Sequence, residues 1–126
     1  MTTLWVAVAG AAGAMARFAV DAAVRHRWAP TLPLATLLVN ATGSLLLGIL
    51  TGLVLERGAD PHLLLILGVG FCGGYTTFST ASFETVRLVR DRRYRAALGY
   101  ALGSLAVTVL AAAAGLALTA HYPHPL

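Results

Sequence analysis

Apolar residues run along this chain in four long blocks, Leu4 to Val24, Leu32 to Leu55, Leu63 to Val89 and Ala96 to Ala120. Each is near or above the roughly 20 residues that a helix needs to cross a bilayer. The pattern predicts an all-α membrane protein with four transmembrane helices in one domain, residues 1–126, joined by connections too short to hold a soluble domain. Polar residues inside the blocks recur at helical spacing. In the second block Thr36, Asn40, Gly43, Ser44 and Gly48 follow steps of three and four, which gathers them on one face. In the fourth, Tyr100, Ser104 and Thr108 recur every fourth residue beside Gly99 and Gly103; in the first, Gly10, Gly13 and Arg17 share the same kind of spacing. One such face is ordinarily packing glue, with small residues admitting a close neighbour and hydroxyls bonding along or across helices. Their recurrence on three segments points to the lining of a polar path.

The third block carries the sharper signal. Gly70-Phe-Cys-Gly-Gly-Tyr-Thr-Thr-Phe-Ser-Thr-Ala-Ser-Phe-Glu84 puts adjacent glycines and a run of hydroxyls inside an otherwise apolar span. A helix interrupted in hydrocarbon must have its loosened amides and carbonyls satisfied by protein or by an ion. Broken membrane helices are a recurrent way of building ion sites. The break is expected at Gly73–Thr77.

Composition agrees with the membrane reading, since 58% hydrophobic and 11% charged residues and a mean hydropathy of +0.77 lie outside the soluble range. The first block lacks a basic leader and is followed by three more spans, so it reads as a retained helix and not a signal peptide. The formal net charge of +4 comes from nine arginines. Arg25 and Arg27 lie between the first two spans, and Arg87, Arg90, Arg92, Arg93 and Arg95 between the last two, which is the same side of the membrane. Arg57, with Glu56 and Asp60, lies on the other. The positive-inside rule then places both termini outside the cytoplasm. Beside a membrane, the Arg87 to Arg95 cluster reads as a topology signal and a partner for anionic membrane lipid, with no nucleic acid implied.

Several chemistries drop out. The one cysteine, Cys72, permits no intrachain disulfide. Asp21 and Glu84 fall at the basic ends of their spans, away from the middle where a proton-coupled exporter would need a carboxylate. His26, His62, His121 and His124 lie near loops or termini, and no nucleophile stands with a base, so no enzyme is expected. A neutral, donor-rich path remains, made of the Asn40 amide, hydroxyls, backbone N–H groups and the positive ring edges of Phe78 and Tyr100. Such donors suit a small dehydrated anion.

The motifs Val39-Asn40-Ala-Thr-Gly43-Ser-Leu-Leu-Leu-Gly48, Gly73-Gly74-Tyr-Thr76-Thr77-Phe78-Ser79-Thr80, Gly10-Ala-Ala-Gly13-Ala-Met-Ala-Arg17-Phe18, and Tyr100 with Ser104 resemble the Fluc/CrcB fluoride channels. The resemblance covers essentially the whole chain. It implies an antiparallel dimer in the cell membrane, formed with itself or with a paralogue, that lets fluoride leave the cell passively. It further implies a central structural sodium ion on the backbone carbonyls of Gly73 and Thr76 of both subunits. Asn40, Phe78, Ser79, Thr80, Tyr100, Ser104 and Thr108 would lie along the anion route. Paired carbonyls from two helix breaks are hard ligands suited to a small cation. One departure stands out: the family usually has a second phenylalanine three residues after Phe78, where this chain has Ala81. Phe83 is a poor substitute, since two residues turn a helical side chain by about 200°. Seven loop arginines against one also disfavour insertion in both orientations. Both features suit one member of a heterodimeric pair, working with a paralogue of opposite charge bias.

Overall fold

The computed structural model describes residues 1–28 and 32–121. His124, with the rest of the segment after His121, lies outside the described residues. Among the described residues four helical spans are long and apolar enough to cross a membrane: Thr2–Trp28, Leu34–Arg57, Pro61–Arg90 and Tyr94–Ala120. This is the predicted multi-pass all-α membrane architecture. The first two spans are the continuous helices α1 (Thr2–Trp28) and α2 (Leu34–Arg57). The third is composite, running through α3 (Pro61–Leu63), a π-helical segment (Leu64–Cys72), α4 (Gly73–Tyr75) and α5 (Phe78–Arg90). The last is α6 (Tyr94–Ala120).

Local chemistry sets the ends of these elements. Gly58 closes α2 in the left-handed region at φ 65°, where a side chain would be strained. Asp60 then accepts the His62 amide while Pro61 occupies the first helical position, so the chain re-enters the membrane immediately. Exposed Asp60 is held below the usual carboxylate range by hydrogen bonds from the His62 amide and ring. Between α5 and α6 the amide of Arg92 donates to Val89 and that of Arg93 to Leu88, the paired bonds of a Schellman turn. Arg92 sits at the left-handed position of that turn with φ 58°, where glycine is usual.

The helices meet over small residues. The most extensive contact is between α2 and α6. A Cβ added at Gly48 would strike the Ala112 carbonyl, and one at Gly115 the Leu45 carbonyl. Along the other side α1 packs on the π segment and α4, where a Cβ on Gly74 would strike the Gly10 carbonyl. Lipid tails are as apolar as leucine, so association in a bilayer depends on such close backbone approach. Most large apolar side chains point outward instead: Leu98, Leu102, Leu105 and Leu110 on α6 are all more than half exposed. A small buried cluster of Leu88, Ala97 and Tyr100 joins α5 to α6, with Leu37, Ala81 and Ala96 packed around it.

The third span is bent by 23°. Its interruption falls within the expected range, though at its last two residues. Gly73 is helical (φ −62°, ψ −39°), whereas Thr76 and Thr77 are extended, at ψ 160° and 120°. The glycines serve proximity: Gly74 admits the backbone of α1. The threonines make the break.

Candidate functional site

The break is held open by one side chain. Asn40 of α2 reaches the third span, where its Oδ1 accepts the Thr77 amide at 2.7 Å and its Nδ2 donates to the Thr77 carbonyl at 2.9 Å. A carboxamide carries a donor and an acceptor side by side, so it can answer both halves of a peptide unit at once. Capturing the Thr77 amide takes from the Gly73 carbonyl the donor that an uninterrupted helix would have returned to it. Thr77 also starts the next helix. Its Oγ1 accepts the Thr80 amide at 3.1 Å and donates to the Thr80 hydroxyl at 3.0 Å, a threonine N-cap. On the other side of the break the Thr76 amide and hydroxyl both return to the Cys72 carbonyl, at 2.9 and 2.8 Å.

Several of the sequence-predicted residues converge here. Asn40, Gly73, Thr76, Phe78 and Thr108 line one cavity of about 300 Å³. Phe78, the first residue of α5, lines this cavity and is 87% exposed. Thr80 lies in a second cavity of about 370 Å³ on the basic side of the break, shared with Arg17, Asp21, Arg25 and Thr36. Ser79 is exposed next to Phe78.

The fourth-span residues divide. Thr108 reaches the first cavity, and its hydroxyl donates to the Ser104 carbonyl at 2.8 Å. Ser104 is half-buried and bonds back to Ala101 at 3.2 Å. In these rotamers both hydroxyls present lone pairs, and either must rotate before it can donate to an anion. Tyr100 sits elsewhere, buried in the α5–α6 cluster with its hydroxyl donating to Glu84 Oε2 at 3.1 Å. Glu84 Oε1 meets Arg25 at 3.5 Å, and Arg25 meets Asp21 at 2.8 Å. The two carboxylates at the basic ends are thus already engaged, as knots between α1, α5 and α6.

Two participants escape a reading by spacing alone. Arg17 shares helical spacing with Gly10 and Gly13, but spacing does not show that its Nη1 donates to the Thr76 carbonyl at 3.4 Å across the α1–third span contact. The π-helical widening of Leu64–Cys72 has no periodic signature; the only local hint is the pair Gly68 and Gly70, both buried.

Backbone carbonyls are the class of ligand that a hard cation would use here. Gly73 and Thr76 border the same cavity, and a Cβ on Gly73 would meet nothing within 4 Å, so space lies open beside it. Among the described residues no group of three His, Cys, Asp or Glu could bind a metal. Any cation here must be held by carbonyl and hydroxyl oxygens, as small alkali ions are.

Comparison with known proteins gives the same outline. Residues 4–116 match the family model described as CrcB-like protein, Camphor Resistance (CrcB). A protein of Leifsonia xyli subsp. xyli named Fluoride-specific ion channel FluC 1 is 48% identical over 116 residues, 92% of this chain and 85% of that one. Fluoride-specific ion channel FluC 2 of Cutibacterium acnes is 47% identical over 119 residues, 94% of this chain and 97% of the relative. Fluoride-specific ion channel FluC 2 of Moorella thermoacetica is 45% identical over 106 residues, covering 83% and 85%. With residues 4–116 matched by the family model and relatives at 47% and 48% identity over most of both chains, the protein belongs to the CrcB family.

Proposed function

We propose that the protein is a passive, fluoride-selective channel that releases cytoplasmic fluoride across the cell membrane as an antiparallel dimer. The observation that carries this reading is the Asn40–Thr77 clamp, which holds a helix break open beside a small cavity lined in part by an exposed phenylalanine. The relatives' name, fluoride-specific ion channel, supplies the anion. The lining supports it chemically, since neutral donors and a ring edge can replace part of the hydration shell of a small anion without trapping it as a fixed cation would.

Within this reading Asn40, Phe78, Ser79, Thr80, Ser104 and Thr108 border the anion route near the break, and Tyr100, bonded to Glu84, borders it away from the break. The Gly73 and Thr76 carbonyls of both subunits hold a structural sodium ion, which neutralises the negative end of the interrupted helix. Arg17, on the Thr76 carbonyl at 3.4 Å, adds a positive charge near that ion. Sodium coordination therefore depends on the second subunit completing the oxygen set.

Proteoliposomes loaded with fluoride test conduction directly. Efflux should follow dissipation of the membrane potential by an ionophore, should need no proton gradient, and should be absent for chloride. No fluoride efflux, from the protein alone or reconstituted with a paralogue, overturns the reading.

A second reading concerns the partner. The arginine-rich loops give the chain one preferred orientation. Ala81 is packed into the cluster of Leu88, Ala97 and Tyr100, so α5 lies against α6 where a larger ring would have to be accommodated. Both favour a subunit that conducts only when paired with a paralogue of opposite orientation. Efflux from the chain reconstituted alone would eliminate this alternative and leave the homodimer.

A further inference from the structure

Taking fluoride conduction as proposed, we infer that Ser44 is a further anion-binding residue beside the break, its hydroxyl donating a hydrogen bond to the fluoride ion that passes there. Ser44 belongs to α2, one helical turn after Asn40. It lines the same cavity of about 300 Å³ as Asn40, Thr76, Phe78 and Thr108.

Hydroxyls elsewhere in the spans spend their proton on their own helix. On α2 the Thr42 hydroxyl donates to the Leu38 carbonyl and that of Thr51 to the Leu47 carbonyl, both at 2.8 Å. On α5 Thr85 does the same to Ala81. Of the hydroxyls that line the cavity, Thr76 donates to the Cys72 carbonyl, Thr77 to the Thr80 hydroxyl and Thr108 to the Ser104 carbonyl. Ser44 differs from all of these. Among the described residues its hydroxyl has no hydrogen-bond partner, although the Asn40 carbonyl, four residues back, is where a helical serine ordinarily returns its proton. Ser44 is half-buried, and among the described residues no sealed side-chain oxygen lacks a partner, so its Oγ opens onto free space. That space is the cavity it lines.

Packing does not account for a serine here. The close approaches of α2 run through its glycines: a Cβ on Gly43 would strike the side chains of Thr76 and Tyr75, and one on Gly48 the Ala112 carbonyl. An unanswered hydroxyl within a membrane is costly, and an anion entering the cavity answers it. Asn40 has a second donor to offer, since only one of its Nδ2 hydrogens is drawn to the Thr77 carbonyl. Side chains four residues apart on a helix stand about 5–6 Å from each other at Cβ, so the Ser44 hydroxyl and the second Asn40 N–H can converge on one small ion. Fluoride, the smallest halide and the strongest acceptor, gains more from two short hydrogen bonds than chloride does. Two neutral donors also let it go again.

The full-length protein, reconstituted in liposomes loaded with fluoride, is compared with three variants by initial efflux rate and by thermal midpoint in detergent. Ser44→Ala should lower efflux about tenfold, the equivalent of one hydrogen bond at the barrier, while its midpoint stays within about 2 °C of the parent's. Ser44→Cys keeps a weak donor of similar size and should conduct at a rate between those of the parent and Ser44→Ala. Thr51→Val, on the same helix, removes a hydroxyl already returned to Leu47 and should change efflux by less than about twofold. Parent-like efflux from Ser44→Ala would overturn the role of Ser44 and leave the channel standing. So would equal losses in Ser44→Ala and Thr51→Val, or Ser44→Cys conducting no better than Ser44→Ala. A parent that releases no fluoride, alone or with a paralogue, would overturn conduction and this role of Ser44 with it.

Discussion

The α2–α6 seam and the break in the third span are two solutions to holding helices together without a hydrophobic driving force. At the seam, Gly48, Gly52 and Gly115 let backbone or side-chain atoms of the opposite helix occupy the space of a missing Cβ. Its specificity is steric, and apart from Arg57 on the Thr119 carbonyl at one end it rests on shape. At the break the backbone leaves helical geometry at Thr76 and Thr77, and a side chain from α2 must answer the stranded peptide. Its specificity is polar. The seam should therefore be sensitive to added volume and indifferent to polarity, with the break behaving in the opposite way.

The largest effect is expected from adding volume at the seam. Gly48→Val should cost at least about 3 kcal/mol, because the atom it would strike is backbone and cannot move aside. Gly99→Ala, also in a span but with nothing within 4 Å, should change stability by less than about 0.5 kcal/mol. Thermal or denaturant unfolding of the two variants in one detergent makes the comparison. Similar destabilisation by both would show that the seam is not the steric determinant.

Next is Asn40→Ala, which removes volume and strands the Thr77 amide and carbonyl. A cost of about 1–3 kcal/mol is expected, together with at least about a tenfold fall in fluoride efflux, the equivalent of one lost hydrogen bond at the barrier. Retention of wild-type flux would mean that the break keeps its shape without its clamp. Tyr100→Phe should have a smaller effect, about 1 kcal/mol, since it deletes the bond to Glu84 while Arg25 still holds the carboxylate. A loss of efflux far exceeding that loss of stability would place the hydroxyl on the anion route itself. Arg92→Gly should act in the opposite direction, raising stability by up to about 1 kcal/mol as the left-handed position is relieved. Destabilisation there would show that the Arg92 side chain contributes more than its backbone costs.

The exposed end of the bundle offers the mildest test. Hydrogen bonds from His62 hold Asp60 below its ordinary value of 3.8, so its contribution is present above that value and lost as pH falls through the lower, folded one. Asp60→Asn should lessen the drop in thermal midpoint on acidification below pH 4, relative to the parent. An unchanged acid dependence would mean that the cap contributes nothing measurable.

Much of the architecture is legible in the residues. Four apolar blocks become four spans, and Gly13, Gly43, Gly48, Gly52, Gly74 and Gly115 lie at helix contacts, as small residues in membranes do, whereas Gly73, Gly99 and Gly103 do not. The site is legible in membership more than in role. Asn40, Phe78 and Thr108 do share a cavity. Spacing could not reveal that the Asn40 amide is occupied by Thr77, that Tyr100 turns away toward Glu84, or that Arg17 crosses to the Thr76 carbonyl. Each of these is a contact between residues far apart in the chain, and periodicity reports only which face of its own helix a residue occupies.

The one arginine on the poorly charged side makes the same point. By position Arg57 counts against the charge bias; in the fold its Nε and Nη2 both donate to the Thr119 carbonyl, at 3.2 and 3.0 Å, closing the C-terminal end of α6. Sequence alone determined that this protein lives in a membrane, that its third helix is interrupted and near which residues, because hydrocarbon forbids charge and unpaired backbone to any chain regardless of fold. Only tertiary structure decided that the threonines and not the glycines form the break, and that the glycines serve contact. A helix parts from its own hydrogen bonds only where another element supplies replacements, and the position of Asn40 relative to Thr77 is fixed by how α2 packs.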